Sequence, residues 1–134
     1  MPIAFLLPIA LLAGATAAGS DIPSPGKIEV GDWVPFYTVT VDGEQLDYAY
    51  DRASMVRRDG HVVARWKVAG DNWTTLYVLD IACRDRTATE RGTLVIERGG
   101  KTHSVPAADL RKDYPIDPGK SADRFHALVC RDGA

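Results

Sequence analysis

Three histidines (His61, His103 and His126) and two cysteines (Cys83 and Cys130) are the residues most able to carry acid–base, nucleophilic or metal chemistry. No two histidines stand at i, i+4, and no H-E-x-x-H occurs. A metal site would therefore require the fold to gather them from three separate segments. His103-Ser104 pairs a base with a hydroxyl, but neighbouring side chains on a strand point to opposite faces, and there is no G-x-S-x-G elbow. The cysteines lack C-x-x-C spacing. Asp42, Glu44, Asp47 and Asp51 cluster beside Tyr48 and Tyr50, but their spacing is irregular for a calcium loop, and they read as solvated loop charge. These patterns predict no catalytic residue, no metal ligand set and no cofactor site.

The remaining chemistry is charge. Arg52, Arg57, Arg58, Arg65 and Lys67 fall within one short stretch, which Arg84, Arg86 and Arg91 extend if the fold brings them near. Asp59, Asp85 and Glu90 interleave, so the plain reading is an ordinary mixed-charge face. The functional reading is a surface for an anionic partner such as a sulfated glycan, lipopolysaccharide or an acidic protein. Trp73, in Gly70-Asp71-Asn72-Trp73, is either an interface anchor or a lid folded back on the core. The candidate partner-binding residues are Arg57, Arg58, Arg65, Lys67 and Trp73. A formal net charge of −2 argues against a dedicated nucleic-acid binder.

The 134 residues accommodate one small domain, and 46% hydrophobic content is enough for a real core. Residues 1–17 read as a signal peptide: Ile3 to Ala13 is almost entirely apolar, is too short to span a bilayer, and is followed by the small-x-small run Ala15-Thr16-Ala17. No cysteine sits at the cleavage site, so no lipoprotein anchor is expected. The mature chain is expected in the periplasm or outside the cell. Residues 18–29, with Pro23, Pro25 and Gly26, read as a flexible linker, leaving 30–134 as the folded domain.

Within that domain the pattern alternates with period two. Trp33 to Val41 reads as a strand that Pro35 pushes to an edge or breaks with a bulge. Met55 to Val68 reads as a hairpin. A three-residue loop, Arg58-Asp59-Gly60, is expected there, pairing Val56 with Val62 and keeping Arg57 in water; a two-residue turn would pair Arg57 with Val62. Thr74 to Cys83, apolar on both faces, is expected centrally. Thr87 to Arg98 and Lys101 to Val105 follow, joined at Gly99-Gly100. The chain closes with a helix from Ala122 to Arg131, capped by Ser121, with Ala122, Phe125, Leu128 and Val129 as its apolar stripe. In an exported protein an isolated cysteine pair is expected to be a disulfide, here one that fastens the helix to the sheet. The fold class is thus α+β: a small antiparallel sheet of about six strands with one C-terminal helix packed on it through a disulfide. A dimer through a free sheet edge is left open.

Three segments resemble one known family. The run Tyr50-Asp51-Arg52-Ala53-Ser54-Met55-Val56-Arg57-Arg58-Asp59-Gly60, leading into Val62-Val63-Ala64-Arg65-Trp66, is similar to the Asp-x-x-Ser-hydrophobic-Arg-Arg-x-Gly run of surface-adhesin protein E-like domains. Asp80-Ile81-Ala82-Cys83-Arg84-Asp85-Arg86-Thr87 looks like that family's cysteine strand, and Pro118-Gly119-Lys120-Ser121 to Cys130 like its closing helix and last cysteine. Ala82 stands where relatives usually carry Asp, and Lys120 intervenes between Gly119 and Ser121. The resemblance spans residues 30–130. It implies the same sheet and helix joined by Cys83–Cys130. It also implies a non-enzymatic exported protein of Gram-negative bacteria that binds host extracellular-matrix proteins. The alternative function is a periplasmic housekeeping or inhibitor protein on the same scaffold.

Overall fold

A computed structural model of the chain describes residues 23–131. The expected signal peptide, residues 1–17, lies outside the described residues. Eight strands form one antiparallel sheet: β1 (Trp33–Val41), β2 (Glu44–Asp51), β3 (Val56–Arg58), β4 (His61–Ala69), β5 (Trp73–Ala82), β6 (Thr87–Glu97), β7 (Thr102–Ser104) and β8 (Tyr114–Pro115). The main path runs β1-β2-β4-β5-β6-β7; the short β3 pairs with β4 and the short β8 with β6. One helix, α1 (Ser121–Val129), follows. β5 is central, and β1 is an edge strand whose register slips between Pro35 and Tyr37. Proline carries no N–H for the ladder, so both the edge and the bulge follow from Pro35.

The hairpin register differs from the expectation. Arg57 pairs with Val62 and Arg58 with His61, which leaves Asp59-Gly60 as a two-residue turn. Both turn residues have positive φ, 53° and 80°, and Asp42-Gly43 between β1 and β2 repeats the pattern at 51° and 83°. This left-handed pair matches the twist of the flanking strands, and Asp is among the few residues besides Gly that visit that region. The pairing does not strand Arg57 in the core. Its guanidinium reaches the end of α1 and donates to the carbonyl of Val129 at 2.6 Å, one of the carbonyls a helix end leaves without a partner.

Because paired residues share a face, the register sorts the sheet into two sides. Tyr48, Tyr50, Val62, Ala64, Trp66, Tyr77, Leu79 and Ile81 face α1. Phe36, released by the β1 bulge, joins them, 5.0 Å from Trp66 and 5.5 Å from Phe125 between ring centres. Phe125 and Val129 of the helix are buried in this core, whereas Leu128, expected in the stripe, is exposed. The helix begins at Ser121, with Lys120 at the cap position. Ser121 therefore does not cap it; instead Asp123 accepts from the N–H of Gly119 at 2.8 Å. Cys83 and Cys130 are disulfide-bonded with Cα atoms 5.6 Å apart, fastening the helix end to the sheet. Arg86 adds a second tie through Asp123 at 2.8 Å, and His126 a third through the carbonyl of Cys83 at 2.9 Å.

The opposite face is covered by the chain's own N-terminal arm. Arg65, buried in mid-sheet, donates to the carbonyls of Lys27 (2.6 Å) and Val30 (2.8 Å) and pairs with buried Asp51 at 3.2 Å. Trp33 donates to Ile28, and Asp51 accepts from the N–H of Asp32 at 2.7 Å. Pro25 lies so close to Gly92 that a side chain there would meet it at 3.2 Å. Residues 23–29, the described part of the expected linker, thus form a strap held to the sheet.

Candidate functional site

The expected partner-binding residues do not form one patch. Arg57 lies on the helix side and is tied to Val129. Arg58, Arg65 and Lys67 belong to the other side. Arg65 is buried under the strap, and Trp33 stacks beneath both Arg65 and Lys67 at 4.8 Å. Trp73 starts β5 at the end of β4 remote from the Asp59-Gly60 turn, half-buried against Gly70. Asp59 and Asp85 border the clefts at the turn, so the charge there is mixed. The histidines are also apart: His61 bonds Asp80 at 2.7 Å, His126 bonds Cys83, and His103 lies 3.7 Å from Glu97.

Asp80 is the more informative group at that end. Its buried carboxylate also receives Nε and a second guanidinium nitrogen of Arg91, at 3.1 and 2.7 Å. Arg91 is the extra residue of a bulge, for Val78 pairs with Gly92 and Leu79 with Glu90. A bulge re-aims a side chain, and here it satisfies a buried charge. Among the described residues, the two clefts bordering His61 contain no hydroxyl nucleophile or free thiol.

The helix side holds a different arrangement. Tyr48, Trp66, Tyr77, Leu79, Glu90, Arg111, Tyr114 and Ser121 surround a half-open cavity of about 170 Å³. The sheet supplies the first five from adjacent strands; β8, the segment before it and the start of α1 close the rest. Arg111 is placed by Glu90: their backbones bond at 2.8 Å, and the Glu90 carboxylate accepts the Arg111 N–H at 3.1 Å. The Arg111 guanidinium carbon lies 3.7 Å from the centre of the Tyr114 ring. Among the described residues, the hydroxyls of Tyr48, Tyr77, Tyr114 and Ser121 have no hydrogen-bond partner, and neither does the buried Trp66 indole N–H.

Burial pushes the Tyr77 hydroxyl up to about 12, reinforced by Tyr48, Glu90 and Tyr114 and opposed by Arg111. Burial also raises Tyr114, with Glu90 adding to it. Both phenols are therefore neutral donors at physiological pH. The four hydroxyls bond to no described residue and stay open to solvent, so a ligand in the hollow can take the place of water on them, whereas the Trp66 indole N–H is shut off from solvent without a partner.

The sequence reading passed over these residues. Period-two alternation puts Tyr77 in one row with Leu79, Ile81 and Cys83, and Trp66 in one with Val62 and Ala64, whereas Tyr48 lies in the acidic run that reads as loop. Arg111 and Tyr114 lie in a segment without periodicity, and no local signal marks them. No family model matches the chain, and no curated protein or solved structure matches it.

Proposed function

We propose that this chain is an exported, non-enzymatic binding module whose partner enters the aromatic pocket. The observation that carries the reading is the set of phenol hydroxyls at Tyr48, Tyr77 and Tyr114, without protein partners, around one hollow lined by aromatic residues. Such a site fixes a ligand's orientation through a few polar contacts and its affinity through aromatic area. The Cys83–Cys130 bond supports an oxidising location, periplasmic or secreted. The resemblance to surface-adhesin protein E-like domains supports a binding role toward matrix components. The test is capture on the immobilised, oxidised protein of purified host-matrix proteins or of components of a bacterial envelope extract, run beside a Tyr77→Phe, Tyr114→Phe variant. The reading expects retention by the native chain and at least about tenfold weaker retention by the variant. Matrix capture specifies the adhesive role; envelope capture specifies a housekeeping or inhibitory one. Equal retention by both chains, or none, contradicts the pocket.

A further inference from the structure

We infer that the pocket receives one uncharged pyranose ring of a glycan, an inference that rests on reading the pocket as a binding site. Capacity comes first. A cavity of 170 Å³ holds on the order of ten water-sized groups, the scale of a single hexose and too little for an extended peptide side-chain cluster.

The wall is mainly polar, with a smaller apolar share. The tyrosine rings offer that apolar surface to ring C–H groups, while hydroxyls and the charged Glu90 and Arg111 stand among them, as a ligand made mostly of hydroxyls requires. The bonding inventory also fits. Glu90 only accepts and requires a donor. The phenols and Ser121 do both. A ring of hydroxyls supplies donors and acceptors in every direction, whereas an aliphatic ligand would leave these groups unpaired and an amide would answer few of them.

Charge removes the competing small ligands. Glu90 and Arg111 are adjacent on the rim and opposite in sign. An ammonium group attracted by the aromatic faces would meet the Arg111 guanidinium already stacked on Tyr114. A sulfate or carboxylate attracted by Arg111 would meet Glu90. A neutral polyol encounters neither repulsion and bonds to both groups.

The experiment titrates the oxidised full chain with methyl pyranosides of gluco, galacto, manno and N-acetylglucosamine configuration, each to about 50 mM, and reads the tryptophan indole signals by ¹H–¹⁵N NMR. Tetramethylammonium and methyl sulfate are run as charged probes of similar bulk. The expected result is a saturable shift of the Trp66 indole with at least one pyranoside, at a dissociation constant of about 0.1–10 mM. Tyr77→Phe and Glu90→Gln, each checked for an unchanged fold by near-UV circular dichroism, are each expected to weaken it about tenfold. A saturable shift with only a charged probe overturns the sugar inference and leaves the pocket reading standing. No saturable shift with any probe overturns both. A pyranoside shift that persists unchanged in both variants also overturns the inference, because the contact then lies elsewhere.

Discussion

Arg111 lies face-on to Tyr114, 3.7 Å from guanidinium carbon to ring centre, while its own backbone is clamped at both N–H and carbonyl by Glu90. One residue therefore sets two properties of the pocket: the shape of its rim and the sign of the field over its phenols. Arg111 lowers the Tyr77 pKa against the combined upward push of burial, Tyr48, Glu90 and Tyr114. Arg111→Ala is expected to raise the Tyr77 titration point further and to cost about 0.5–1 kcal/mol from the lost stacking. Phenol titration followed by ultraviolet difference absorbance, with Tyr77→Phe to assign the step, checks the first; urea unfolding checks the second.

Tyr77 also predicts how the fold responds to alkali. Its folded-state pKa is raised from 10.0 to about 12, so the neutral phenol favours the folded chain. That contribution is complete below pH 10. It is lost between pH 10 and about 12, at roughly 1.4 kcal/mol per pH unit, because the unfolded chain ionises first. Thermal melts across this window are expected to fall more steeply for the native chain than for Tyr77→Phe. Parallel curves would contradict the assignment.

The period-two rows, the edge position forced by Pro35, the centrality of β5 and the cysteine pairing were all legible in the residues, because each depends on local pattern or on elementary redox chemistry. The hairpin register was not. The longer loop was expected in order to keep Arg57 wet, yet Arg57 stays exposed in the two-residue register too, its guanidinium reaching the Val129 carbonyl 72 residues away. The same distance problem hid Asp51–Arg65 and Asp80–Arg91. A carboxylate in a turn-rich run reads as solvated until the fold delivers a guanidinium to it, and Arg91 reaches Asp80 only through a bulge that alternation does not announce. Candidate binding residues chosen by local charge were consequently split between two faces, while the pocket arose from Tyr77 of a central strand, Tyr48 of a run that read as loop, and Tyr114 of a segment without periodicity.

Buried Arg65 is expected to be the most costly of the basic residues to replace. Arg65→Met leaves Asp51 buried without its cation and removes both bonds to the strap. The expected loss is about 3–5 kcal/mol, with earlier proteolytic cutting at Lys27. Adding Asp51→Asn is expected to recover part of that loss, since the stranded charge is then gone. Denaturant unfolding of the single and double variants gives the coupling directly.

Reduction of Cys83–Cys130 releases a link across a sequence separation of 47 and is expected to lower stability by about 4 kcal/mol. The effect is expected to be local at first. Amides of α1 lose exchange protection, while β4 and β5, paired along nine positions, keep theirs. Hydrogen exchange with and without reductant measures this, and uniform loss across the sheet would contradict it.

The pocket itself is tested most directly by a crystal of the oxidised chain whose lattice leaves Tyr48, Tyr77 and Tyr114 open to solvent, soaked with whichever methyl pyranoside binds best in solution. The account predicts ordered ring density against these tyrosines, with sugar hydroxyls within hydrogen-bond distance of Tyr77 and Glu90. Density for water alone in an accessible pocket, at a soak concentration well above the solution dissociation constant, would contradict it.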